Sequence, residues 1–299
     1  MLADWVQPHR VGLNDLALGT DPMNPLTRYL IFGLRRVHGW LSQDNAELIA
    51  ALSAIQVEDA FEGAVGEIGV HHGKLLILLL LTAARDERAF AVDVFEQQHL
   101  NVDRSGFGDR DAFMHNVQRW VGRHDNLTIF AKSSFDVRSD EVIAACGRSR
   151  LASVDGGHTE ECTLNDLRLI EAVLTDRGVA ILDDYFNVEW PGVASGIARY
   201  LGDTSSKLRP FAVTQAKMFL SAAENASFYR NALRTRTKFR PQKTAVMFGS
   251  EVDIYTFRPR VDNALARSKQ FVKRSALGPY VLALKVALKG TGNLRFGGI

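Results

Sequence analysis

From residue 64 onward, short apolar runs alternate with stretches in which apolar residues recur every three or four positions. The runs at 64–68, 89–94, 127–130, 151–154 and 179–182 predict five strands, and the periodic stretches at 74–84, 111–121, 139–146 and 163–176 predict the helices between them. Strands that follow one another through helices form a parallel sheet covered on both faces, so the pattern points to a doubly wound α/β fold. Two later apolar segments, 211–220 and 244–257, read as strands closing the sheet edge, possible partners in an antiparallel pair. Ahead of the sheet, helical periodicity covers 27–40 and 44–55, with Ser42 or Asp44 able to cap the second helix. Three segments follow: a helical cover at 1–60, an α/β core at 61–260 and a basic helical extension at 261–299.

Composition narrows the class. With 46% hydrophobic and 23% charged residues in 299, the chain has the make-up of a globular protein. The most apolar run, 75–81, is far shorter than the roughly 20 residues of a spanning helix. Residues 1–10 lack a secretory pattern, and Cys146 and Cys162 make no disulfide framework. A cytoplasmic location with two free thiols is expected. The net charge of +2 conceals an asymmetry: from Arg230 onward 15 Lys or Arg face only Glu251, Asp253 and Asp262. Such a tail suits docking on the acidic remainder of the same chain or peripheral contact with an anionic membrane. No nucleic-acid motif accompanies it. A homo-oligomer is compatible with the sequence.

The first strand runs directly into Gly66-Glu67-Ile68-Gly69-Val70-His71-His72-Gly73, and a helix starts at Lys74. Gly69 and Gly73 permit a tight turn that brings backbone N–H groups near a ligand. The order differs from the G-x-G-x-x-G of dinucleotide sites, and Glu67 would repel a diphosphate but suit a cationic amino group. The second strand ends at Asp93, where a carboxylate can accept both hydroxyls of a ribose. His71 and His72, adjacent on a turn, are read as loop residues.

The fourth strand delivers Asp155-Gly156-Gly157-His158 and the fifth Asp183-Asp184-Tyr185. Three carboxylates converging at neighbouring strand ends repel one another unless a cation compensates, and oxygen ligation selects Mg²⁺, then Mn²⁺ or Ca²⁺. His158, past two glycines, has a side chain suited to taking a proton from a metal-bound hydroxyl; a structural role is the alternative.

The glycine turn with Glu67, Gly69, Gly73 and Asp93 resembles the first two motifs of class I S-adenosylmethionine-dependent methyltransferases. The resemblance implies a Rossmann-like methyltransferase core with these four residues on S-adenosylmethionine, and Ser133 and Ser134 after the third strand near adenine. The Asp155-x-x-His158 segment and the later acidic pair resemble metal-dependent sugar O-methyltransferases of the macrocin O-methyltransferase type. That likeness implies Asp155, Asp183 and Asp184 as Mg²⁺ ligands, His158 as base, and a small-molecule or glycosylated acceptor. A same-fold hydroxylase, similar to cephalosporin hydroxylase-like sequences, is the rival enzyme; no two-His-one-carboxylate set for iron is seen. A non-catalytic membrane- or protein-docking module acting through the basic tail is the rival from another class.

Overall fold

The computed structural model describes residues 24–122 and 125–257. The basic segment from Asn263 onward, with its expected membrane or docking role, lies outside the described residues.

Among the described residues, nine strands form one sheet: β1 (Ala64–Ile68), β2 (Ala89–Asp93), β3 (Leu127–Ala131), β4 (Ser149–Val154), β5 (Leu174–Leu182), β6 (Leu208–Val213), β7 (Met218–Ala222), β8 (Lys243–Met247) and β9 (Ser250–Ile254). Their order is β3-β2-β1-β4-β5-β7-β6-β9-β8. The first five are parallel. β1 and β4 are buried along their whole lengths, as expected of central strands covered on both faces. The order reverses between β1 and β4, because β2 and β3 extend to one side and β5 to the other. Ligands of open α/β sheets bind at the strand ends beside such a reversal.

Helices α1 (Pro25–Arg28), α2 (Gln43–Glu58), α3 (Lys74–Thr82), α4 (Arg110–Trp120), α5 (Ser139–Cys146), α6 (Glu160–Val173), α7 (Pro191–Gly202) and α8 (Ala226–Arg236) surround the sheet. Leu75 to Leu80 of α3 are all buried, and α2 packs across it. Ser42 caps α2, its hydroxyl accepting the Asn45 N–H at 3.3 Å. Hydrophobic burial on all sides of α3, at about 25 cal/mol per Å² of apolar surface, makes it a central element of the core.

Three expectations change. The helix expected over 27–40 is a single α-turn followed by a π-turn, Tyr29–Gly33, in which the Leu34 N–H reaches back to the Tyr29 carbonyl. The Tyr29 ring fills the space beside Gly33, where a Cβ would lie 2.1 Å from it. The helix expected to reach residue 176 stops at Val173, because Leu174 is drawn into the sheet opposite Ser149. The two late strands are two hairpins. Residues 214–217 turn the chain between β6 and β7, which lies antiparallel to β5. Phe248 and Gly249, both at positive φ, turn it between β8 and β9, a backbone that matches strand twist.

Part of the basic quarter is described. Arg230 and Arg234 of α8 pair with the fully buried Asp253 of β9, Arg236 with Asp59 and Lys238 with Glu47. These charges are met by acidic groups of the same chain.

Candidate functional site

Gly69 holds the site together. Its φ is +83°, and a Cβ there would lie 1.7 Å from the Asp155 carbonyl oxygen. The Asp155 N–H donates to the Ile68 carbonyl at 2.9 Å. The tips of β1 and β4 are therefore in backbone contact, and the glycine turn abuts the Asp155 segment. Gly73, at φ +85°, makes room for the Phe113 ring and begins α3.

Glu67 is 1% exposed, and its Oε2 has no hydrogen-bond partner. Burial first, then the nearby Asp155 carboxylate, pushes its carboxyl well above the usual range, with Lys217 opposing. An enclosed acid lacking one partner fits a ligand that brings a cationic amino group. At the end of β2, Asp93 accepts the His71 N–H (2.7 Å) on Oδ2 and the Phe95 N–H (2.6 Å) on Oδ1. The same carboxylate ties the glycine turn to β2 and retains lone pairs for a ribose. Ser133 caps the short 3₁₀ turn Ser134–Asp136, and Ser134 lies beside Asn165 of α6.

On the other side of the reversal, Asp155 is half-buried, and desolvation followed by the Asp183 charge raises its carboxyl well above normal. His158 is gripped from both sides. Its Nδ1 lies 2.9 Å from Asp103 Oδ2 and 3.0 Å from Ser105 Oγ, and its Nε2 lies 3.3 Å from Asp184 Oδ2. The Asp103 carboxylate also accepts the His158 N–H at 2.5 Å, and Trp190 stacks on the ring at 4.4 Å. Burial alone would lower the imidazole, but the hydrogen bonds to Asp103 and Asp184 outweigh it and raise it to about 10. Asp103 and Asp184 are correspondingly lowered: burial opposes, and the bonds to His158 prevail. These bonds favour the protonated form of the ring.

The three carboxylates expected to hold a metal are engaged differently. Asp155, His158 and Asp184 place one donor atom each within 4.8 Å of one another. Asp183 faces elsewhere: its Oδ2 accepts Lys217 Nζ at 2.5 Å and its Oδ1 accepts the Asp184 N–H at 2.9 Å. Lys217 is 1% exposed. Burial opposes its charge, but Asp183, Asp155 and Glu67 hold its ammonium above the usual range. A lysine thus supplies part of the positive charge that the converging carboxylates require. The Asp155 and Asp184 carboxylates fit Mg²⁺, which commonly takes one or two and keeps waters.

Sequence reasoning did not single out Asp103, Ser105 and Lys217. The first two sit in an irregular loop with no spacing signal. Lys217 ends a turn that periodicity merged into one strand.

Residues 67–185 match the family model described as a methyltransferase domain, and this segment contains both halves of the site. No curated protein matches the chain. Among solved structures, the O-methyltransferase NovP is 15% identical over 62% of this chain and 82% of its own, with a TM-score of 0.54. CalS11, a calicheamicin methyltransferase, is 18% identical over 70% and 89%, at 0.46. TomG from Streptomyces achromogenes is 12% identical over 71% and 95%, at 0.48. The chain is an α/β protein with the Rossmann-like methyltransferase fold. Within that fold, residues 67–185 are similar to the methyltransferase domain family.

Proposed function

We propose that the chain transfers the methyl group of S-adenosylmethionine to a hydroxyl oxygen of a sugar or glycosylated small molecule, assisted by Mg²⁺. The observation that carries the reading is the contact between the two halves of the site. Glu67, with its unpartnered buried Oε2, and the Asp155–His158–Asp184 group meet across the Gly69–Asp155 junction.

Glu67 and the turn N–H groups receive the amino acid end of the donor, and Asp93 its ribose. Asp155 and Asp184 are the carboxylates that would hold the cation. A divalent ion held there would orient and acidify an acceptor hydroxyl. Before it can act as base, His158 releases its Nε2 proton to solvent, a loss that engaging Asp184 elsewhere would favour by weakening that carboxylate's hold on the ring. Asp103 keeps the Nδ1 proton in place, leaving the Nε2 lone pair to accept the hydroxyl proton. The acceptor oxygen forms its bond to the methyl carbon as the carbon–sulfur bond breaks, and S-adenosylhomocysteine leaves. Holding donor and acceptor as one unit supplies much of the rate.

Calorimetry with S-adenosylmethionine tests the donor half, and transfer of labelled methyl to sugar-bearing extracts tests the acceptor half. Donor binding should survive Asp184→Asn while Mg²⁺-dependent transfer is lost. Absence of binding at millimolar donor, or transfer indifferent to chelator, would refute the corresponding part.

A further inference from the structure

Three imidazoles meet outside the carboxylate site. His71 and His72 come from the glycine turn, and His38 from the segment between the N-terminal π-turn and α2. The His71 and His72 rings stack with centroids 4.0 Å apart, and His38 lies 5.1 Å from the first and 5.3 Å from the second. One donor nitrogen from each falls within 4.8 Å of the others. The Nδ1 of His71 is enclosed and has no hydrogen-bond partner.

The cluster is positioned independently of any ligand. Lys74 Nζ donates to the Gly39 carbonyl at 2.7 Å, and the Tyr29 hydroxyl to the Lys74 carbonyl at 2.6 Å, so the His38 segment is anchored to the first turn of α3. His71 is anchored through its N–H on Asp93. Trp40 closes one side, 5.5 Å from the His71 ring.

We propose that His38, His71 and His72 form a three-histidine site for a borderline-soft divalent ion, Zn²⁺ foremost, separate from the oxygen-rich site at Asp155 and Asp184. Nitrogen donors select Zn²⁺ over Mg²⁺. Tetrahedral ligation at a Zn–N distance of about 2.0–2.1 Å brings the nitrogens to about 3.4 Å from one another, with water in the fourth position. The His71 and His72 planes are nearly parallel, 9° apart, so one ring must turn about its Cβ–Cγ bond for the in-plane lone pairs to converge. His72 is only half-buried and His38 exposed. A bound ion would staple the N-terminal cover segment to the glycine turn.

The test uses the full chain carrying Asp184→Asn, which disables the carboxylate site, after chelator treatment. Zn²⁺ alone is titrated by calorimetry, and Co²⁺ by visible absorption. The expected result is one equivalent of Zn²⁺ and a tetrahedral Co²⁺ spectrum. Adding His38→Ala or His72→Ala should weaken binding by more than the roughly 10–100-fold that changes around a metal site's own ligands cost. His38 is exposed, so that variant should fold normally, which circular dichroism checks. No binding at millimolar Zn²⁺, or unaltered affinity in both histidine variants, overturns the proposal. The donor-binding measurements above are independent of either outcome.

Discussion

Replacing Lys217 with Met removes the ammonium that balances the carboxylate cluster while keeping most of the side chain's volume. The Lys217–Asp183 pair spans 2.5 Å, with side chains 1% and 8% exposed, so solvent cannot take over the role of either partner. Breaking such a pair from one side costs about 3–5 kcal/mol, because it strands a buried charge. At roughly 2–4 °C per kcal/mol for a domain of this size, Tm should fall by about 6–20 °C. Lys217 is also one of the influences lowering Glu67 and Asp155, so both rise further in the variant. Folded-state carboxyls raised in this way bind more protons than the unfolded chain, and stability then falls as pH rises. The deficit measured by urea or thermal unfolding should therefore be smaller at pH 5 than at pH 8. Adding Asp183→Asn should recover a large part of it. A Lys217→Met protein within about 1 kcal/mol of wild type at pH 8 would refute the reasoning and return Asp183 to the candidate metal ligands.

Gly69→Ala should destabilise the fold by more than about 2 kcal/mol, since the left-handed backbone alone costs about 1–2 and the new methyl overlaps the Asp155 carbonyl. Calorimetric donor affinity should drop with it, and an alanine variant with native Tm and affinity would show that the strand tips are not held as described. Asp103→Asn should lower the His158 titration, read by NMR on metal-free protein. The raised imidazole stabilises the fold fully below its unfolded value near 6.5, and that contribution is lost as pH rises through about 10. Wild-type Tm should thus decline more steeply than that of Asp103→Asn between pH 7 and 10; equal slopes would remove Asp103 from the role assigned to it.

The alternation of apolar runs and helical stretches was enough to place β1 to β5 and the connecting helices, because burial on both faces imposes its pattern locally. Strand order then follows from parallel connection rules, and strand ends are where side chains meet a ligand. For that reason Glu67, Gly69, Asp93, Asp155, His158 and Asp184 could be singled out from the chain alone. What the sequence could not contain is which partner each charge finds. Arg150 lies within β4 yet is fully buried, because Ser53 and Gln56 of α2 and Glu87 ahead of β2 bind its guanidinium. Lys217 reaches Asp183 across 34 positions because β7 runs antiparallel beside β5. Asp103 reaches His158 from a loop without periodicity. His38 joins His71 and His72 only once the cover segment is docked. Local pattern records which residues must leave water; the pairing of charges depends on distances between segments far apart in the chain, which exist only in the folded structure.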